Sequence, residues 1–394
     1  MNINYGFLKK YIQIYTIDFN FTNIKILNVE KTILKKYASL LLNYCMELKA
    51  GERLLVNTTT LAEPLVAELY KQCQEMKVVM EVIFEWEGKA EDFNDLGHEA
   101  QAKYINPLYK EATENFEGYL VIRAPFKSIR NSIPNATLHA LRSESNKALN
   151  KLYFERTATR DLRRNLCQYP TPQGADAAKM SLEEYTEFII NACYLNEEDP
   201  GTQWLKVRES QQHITDHLNS CTNFRYLSNV MDITFNTAGR KWINSDGQTN
   251  MPSGEVYTSP VEDSVNGFVT FTLPSLYQGH LINNVRLEVK DGYITSWTSD
   301  NKTEILDDVF KIEGSRRFGE AAIGTNYRIT QLTGNILYDE KIGGTIHMAI
   351  GQSYLQSGGK NESSIHWDMI TDMTKGGRIY ADEELIYEDG KFLI

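Results

Sequence analysis

Lys49-Ala-Gly-Glu-Arg-Leu-Leu-Val-Asn-Thr-Thr-Thr-Leu-Ala-Glu-Pro-Leu-Val-Ala-Glu-Leu-Tyr-Lys-Gln-Cys-Gln-Glu-Met-Lys-Val-Val-Met-Glu-Val-Ile-Phe84 decides the fold of the first half of the chain. The turn at Lys49 to Glu52 leads into an apolar run, Leu54 to Val56, whose length and composition predict a buried strand. Leu65, Val66, Leu69 and Cys73 then recur at helical spacing over Leu61 to Met76, and a second apolar run follows from Val78 to Phe84. Strand, helix, strand in this order implies a right-handed crossover and parallel pairing. Upstream, Ile33, Tyr37, Leu40, Leu41 and Cys45 mark another helix, and downstream Tyr119 to Ile122 is a third candidate strand.

Residues 29–195 are therefore expected to form an α/β domain with a mainly parallel sheet. None of its strand-to-helix turns carries G-x-G-x-x-G or G-x-x-x-x-G-K-[ST], so the phosphate-binding loop of a nucleotide site is missing. Asn196-Glu-Glu-Asp-Pro-Gly201 has linker composition. Beyond it the period changes: Asn229 to Phe235 alternates, and Val285 to Val289 and Tyr293 to Trp297 flank an Asp291-Gly292 hairpin turn. Residues 202–394 are expected to form an α+β domain rich in antiparallel sheet. Residues 1–28, rich in Ile, Tyr, Phe and Asn without a period, read as a peripheral extension.

The 394 residues exceed what one core usually organises. A net charge of −11, from 52 acidic and 41 basic residues, is spread along the chain and argues against a nucleic-acid partner. Five cysteines without a C-x-x-C pair fit reduced thiols and exclude zinc ribbons. No run of about 18 apolar residues or signal-peptide pattern is seen, so a cytoplasmic location and no membrane partner are expected.

His347 and His366 fall in a segment that also holds Asp339, Glu340, Tyr354 and Asp368. In His366-Trp-Asp368 imidazole and carboxylate are two apart, so on a strand both project from one face and can converge on an ion. Zinc, cobalt and manganese accept such mixed nitrogen and oxygen donors. A lone H-x-D is equally a solvated surface pair. Gly254-Glu255, Gly319-Glu320 and Asp339-Glu340 add carboxylates in turn-like settings.

Met251-Pro-Ser-Gly-Glu-Val-Tyr-Thr-Ser-Pro260, followed by Glu262-Asp-Ser-Val-Asn-Gly267, resembles the first metal-binding segment of the aminopeptidase T, aminopeptidase S and PepS family of metallo-aminopeptidases. Phe318-Gly-Glu-Ala-Ala-Ile-Gly-Thr-Asn326, Tyr338-Asp-Glu-Lys-Ile-Gly-Gly-Thr-Ile-His-Met-Ala-Ile-Gly351 and Gly359-Lys-Asn-Glu-Ser-Ser-Ile-His-Trp-Asp-Met369 resemble its later segments, in order. Tyr37-Ala-Ser-Leu-Leu and Ala62-Glu-Pro-Leu-Val66 resemble its N-terminal domain, so the likeness runs from about Val29 to the C-terminus. The resemblance implies metal ligands at Glu255, Glu320, Glu340, His347, His366 and Asp368, with Glu320 bridging two divalent ions (zinc, cobalt or manganese). It also implies Tyr354 as an active-site residue that stabilises the oxyanion. Short peptides with a free N-terminus would be the substrates and a homodimer the assembly. Residues 1–28 and the short stretch between Tyr354 and His366 depart from the family pattern.

His213-Ile-Thr-Asp-His217 puts two histidines at i, i+4 but lacks the glutamate of H-E-x-x-H, and a solvated helix face explains it. No G-x-S-x-G is present, and no cysteine sits in an activating context. Among Trp86, Trp242, Trp297 and Tyr257, core packing is the default, with Tyr257 the best pocket candidate. Glu262 and Asp263 are near the first motif without an assignable role as base. The alternatives are a dinuclear hydrolase of another amide or a phosphoester, and a non-catalytic binding protein of the same fold.

Overall fold

A computed structural model describes residues 29–128 and 135–394; the expected extension at 1–28 lies outside them. The first expected strands appear as Arg53–Thr59, Val79–Glu85 and Gly118–Arg123, all parallel. A fourth, Arg163–Gln168, pairs parallel with Gly118–Arg123. Its polar sequence hides it from a hydrophobicity scan, because Arg163 and Arg164 stand at the sheet rim while Cys167 and Gln168 are buried.

The fifth strand comes from beyond the linker-like segment: Asn250–Met251 pairs parallel with Leu166 and Cys167. Asp199 accepts from the amides of Gly201 and Thr202 and caps the 21-residue helix Pro200–Ser220, whose Trp204 is buried in the same core as Leu54, Leu120 and Met251. The α/β region at the N-terminal side thus borrows a strand and a helix from later in the chain.

The C-terminal region is built on two antiparallel sheets face to face, with a two-stranded pair, Ser275–Tyr277 and His280–Ile282, beside them. An eight-stranded sheet runs from Tyr293–Thr298 through Asn266–Phe271 and Asn223–Ser228 to Lys391–Phe392. The expected hairpin is there, with Asp291 and Gly292 both at positive φ (50° and 73°) between Val285–Lys290 and Tyr293–Thr298. A five-stranded sheet, ordered His366–Asp372, Thr345–Gly351, Phe318–Gly324, Glu255–Thr258, Ile243–Ser245, packs against it. Between them lies a core that includes Phe235, Val269 and Leu287 from one sheet and Val256, Ile346, Met348 and Ile350 from the other. Alternate side chains point to opposite faces of a strand, so burying these commits their neighbours to the other face. Along Phe318–Gly324 a register shift between Phe318 and Glu320 lets Phe318 and Ala321 both reach the core while Glu320 turns away from it.

Asn326 ties the two regions together. Its buried amide nitrogen donates to the carbonyls of Ala192 (3.1 Å) and Ser253 (2.9 Å). Gly254 packs against it at φ +113°, where an added Cβ would stand 2.7 Å from Asn326 Cβ, so no other residue fits beside the start of the Glu255 strand. Asn326→Ala leaves two carbonyls without donors and should cost about 2–4 kcal/mol, read as a lowered urea midpoint; an unchanged midpoint would show that water replaces the amide.

Candidate metal centre

The five-stranded sheet turns one face away from the core, and that face carries Glu255, Glu320, His347, His366 and Asp368. Register brings them together. Ala349 on Thr345–Gly351 lies opposite Glu320 on one side and Asp368 on the other, and Gly351 lies opposite His366. Ala322 lies opposite both His347 and Tyr257. A small residue, Ala349, thus stands where Glu320 and Asp368 close over the strand between them.

The side chains meet. His347 Nε2 is 3.4 Å from Glu255 Oε2 and 3.7 Å from Glu320 Oε1. His366 Nε2 is 3.1 Å from Glu320 Oε2 and 3.3 Å from Asp368 Oδ1. Among the described residues Glu320, His347 and Asp368 form a group able to hold a metal ion. Glu340 arrives from the end of the short helix Ile336–Asp339 and contacts the Lys341 ammonium, which also donates to Glu255 Oε1 at 2.8 Å. Tyr354, 37 % exposed, reaches His366 Nε2 with its hydroxyl at 3.4 Å and lays its ring against Tyr257 (5.2 Å between centroids).

The main chain orients the donors. His366 Nδ1 lies 2.7 Å from the Gln352 carbonyl, so it carries the proton and leaves Nε2 to face the carboxylates. Gln211, on the helix that also bears His213 and His217, donates to the Glu255 carbonyl (3.2 Å) and the Ser245 carbonyl (3.1 Å) and so fixes the Glu255 strand. The two histidines stay outside: His217 lies 3.8 Å from Glu384, and neither belongs to the metal-type cluster.

Burial alone would favour neutral groups here, and the carboxylates overrule it at the imidazoles. Desolvation pulls His347 down, but Glu320, Glu255 and Asp368 lift it to about 9. His366 is raised in the same way by Asp368 and Glu320. Burial would raise Asp368, yet His366 and His347 hold it well below the usual carboxylate range. Glu340 shows the opposite balance: burial pushes it to about 8 despite Lys341 beside it, with Glu255 and Asp368 adding to the rise. Lys341 is fully buried, and Glu255 and Glu340 keep it protonated against the cost of desolvation.

These groups fit divalent cations. Glu255 and Glu340 share the Lys341 ammonium, and Glu255 Oε2 and Asp368 Oδ1 are buried without a hydrogen-bond partner. In a protein interior such charge calls for positive charge beside it. Oxygen and imidazole donors suit zinc, cobalt or manganese.

Lys341 was not visible as a site residue in the sequence, since Asp339-Glu340-Lys341 has the composition of a solvated turn. Asp339 turns away from the ligands, accepting from Thr333 and Gly334. Of the aromatics, Tyr257 is at the centre, Trp242 is in the sandwich core, Trp297 packs at a tilt on Phe310 and Trp86 is exposed. Glu262 pairs with Arg240 and accepts from the Lys360 amide, a structural tie rather than a free base.

The centre opens on a cavity of about 1030 Å³ between the two regions. A sheet face of acids and imidazoles beneath such a cleft is the layout of a metal-dependent hydrolase. The chain belongs to the thermophilic metalloprotease family M29, whose model matches residues 30–392. It is 25 % identical to aminopeptidase 2 of Geobacillus stearothermophilus over 381 residues, covering 86 % of this chain and 91 % of the relative. To aminopeptidase AmpS of Bacillus subtilis it is 31 % identical over 241 residues, 52 % of this chain and 58 % of the relative. The structure of wild-type AmpT from Thermus thermophilus superposes with a TM-score of 0.79 at 19 % identity, over 92 % of this chain and all of that one, and so shares the fold.

An ion held by His347 would have to displace a proton that the imidazole keeps up to about pH 9. Affinity for zinc should therefore rise with pH from the ordinary imidazole range towards that value, by up to about tenfold per unit for each proton released. Calorimetric titration of the metal-free protein across this window tests it. A flat affinity would remove His347 from the ligand set.

Proposed function

We propose that this metal-dependent aminopeptidase holds two divalent ions, drawn from zinc, cobalt and manganese, with Glu255, Glu320, Glu340, His347, His366 and Asp368. The observation that supports it most is the placing of His366 Nε2 within 3.3 Å of two carboxylates while its other nitrogen faces a carbonyl. Glu320, between the two histidines, is suited to serve both ions. Bound there, two such ions would supply Lewis acidity and an acidified water to a peptide carbonyl.

The chain's own groups do the rest. The free α-amino end of a peptide would lie at this face of the sheet, which favours attack at the first peptide bond. Desolvation at its hydroxyl end, with Glu320 and Asp368 nearby, keeps the Tyr354 phenol protonated far above neutral pH, so it remains a hydrogen-bond donor. That donor suits the oxyanion that develops on the attacked carbonyl. Tyr257, whose hydroxyl accepts from Gln356, backs the Tyr354 ring and limits its rotation.

A cleft between two regions favours short, flexible peptides over folded chains, and a homodimer enclosing it follows from the family resemblance. Five free cysteines, four of them buried, support a reducing cytoplasmic setting. Among the described residues no helix is long and apolar enough to cross a membrane.

Chelation should abolish hydrolysis of aminoacyl anilides and added divalent metal should restore it; full activity in metal-free protein would end the proposal. Tyr354→Phe should keep its metal content and thermal midpoint while turnover falls by about 2.7–4 kcal/mol in barrier height, roughly a hundred- to thousandfold. Normal turnover with a lowered midpoint would make Tyr354 a structural residue instead.

A further inference from the structure

The cavity over the metal centre has a second wall, and its charge differs from the first. The parallel strands end there: Thr59, Glu85, Arg123 and Gln168 all line the cavity that His366 and Asp368 line from the other side. In open α/β sheets, ligands lie beyond the carboxyl ends of the strands. Here that edge faces the reactive centre across the cleft.

Arg123 is the last residue of Gly118–Arg123, and its side chain is exposed. Lys179, exposed just past the helix Pro172–Ala178, lines the same wall. Neither cation has a side-chain hydrogen bond or ion pair among the described residues. The acids near them are engaged elsewhere: Glu85 pairs with Lys89 at 2.8 Å, and Asp339 accepts from Thr333 and Gly334. One wall of the cleft therefore carries the metal-type centre, reached at His366 and Asp368, and the other presents two cations that are unpaired among the described residues.

A short unblocked peptide has the matching polarity, an ammonium at one end and a carboxylate at the other. We propose that Arg123, assisted by Lys179, receives the C-terminal carboxylate of the substrate, so that the enzyme selects short peptides with both ends free. The guanidinium suits this task because its planar donors match a carboxylate in pairs. The cavity, about 1030 Å³, sits at the upper end of the range for small-ligand pockets and admits a peptide of a few residues. Longer chains would lose the contact. The inference rests on the ligand assignment above, since that fixes which end of the peptide lies at which wall.

The test compares metal-loaded enzyme on leucylglycylglycine and on the same tripeptide as its C-terminal amide, with leucine anilide as a separate gauge of the metal centre. The wild type should prefer the free acid by about tenfold or more in kcat/KM, as expected for one charge-assisted contact. Most of the difference should lie in KM. Arg123→Gln combined with Lys179→Gln should bring the acid-to-amide ratio close to one, Arg123→Lys should restore part of it, and Arg123→Glu should invert it. A structural role for these cations would lower both peptides alike and leave the ratio unmoved, and that result overturns the proposal. Equal use of acid and amide by the wild type overturns it too, while continued anilide hydrolysis in that case leaves the metal centre standing. Failure to cleave the anilide and both peptides would overturn the two together.

Discussion

Everything at the metal centre depends on the two-residue period of one β-sheet. Ile346, Met348 and Ile350 must enter the sandwich core, so His347 and Ala349 must leave it. The same holds for Trp367 and Met369 against His366 and Asp368. Apolar burial contributes on the order of 1.5–3 kcal/mol for each such side chain, which is far more than an imidazole gains by choosing its own rotamer. The core therefore orients the acid and imidazole side chains of the opposite face. Where the alternation would fail, along Phe318-Gly319-Glu320, a register shift corrects it.

Electrostatics then completes what packing begins. Acids gathered on a dry face would repel one another, and three kinds of positive charge answer them: protons on the imidazoles, the buried Lys341 ammonium, and divalent ions when bound. Lys341 differs from the others because it cannot leave. It fixes Glu255 and Glu340 to a common point from two distant parts of the chain, and so joins the sheet to the turn after Ile336–Asp339.

Local pattern was enough to find the first three parallel strands, the Asp291-Gly292 hairpin and the shared face of His366 and Asp368, because each follows from neighbours in sequence. Glu255, Glu320, Glu340 and His347 were legible through ordered motifs rather than through spacing. The rest depends on pairing between remote segments. Arg163–Gln168 is polar and becomes a strand through neighbours on both edges; Asn250–Met251 is two residues long and has no pattern of its own. Lys341 has the sequence context of a surface residue and is buried only because two carboxylates meet it. On the Pro200–Ser220 helix the histidines drew attention, whereas Gln211 is the residue that touches the site's backbone.

The splice of Asn250–Met251 into the parallel sheet has a mechanical consequence. Only Pro252, Ser253 and Gly254 separate that strand from Glu255, so the chain passes from one sheet to the other with almost no slack. The hydrogen bond from Asn326 to the Ser253 carbonyl clamps the same crossing. A wide hinge motion between the regions would pull directly on Glu255 and spoil the geometry around it. Traffic through the cleft must therefore rely on the width already present and on side-chain movement at its rim, which makes the enzyme a rigid sieve rather than a jaw.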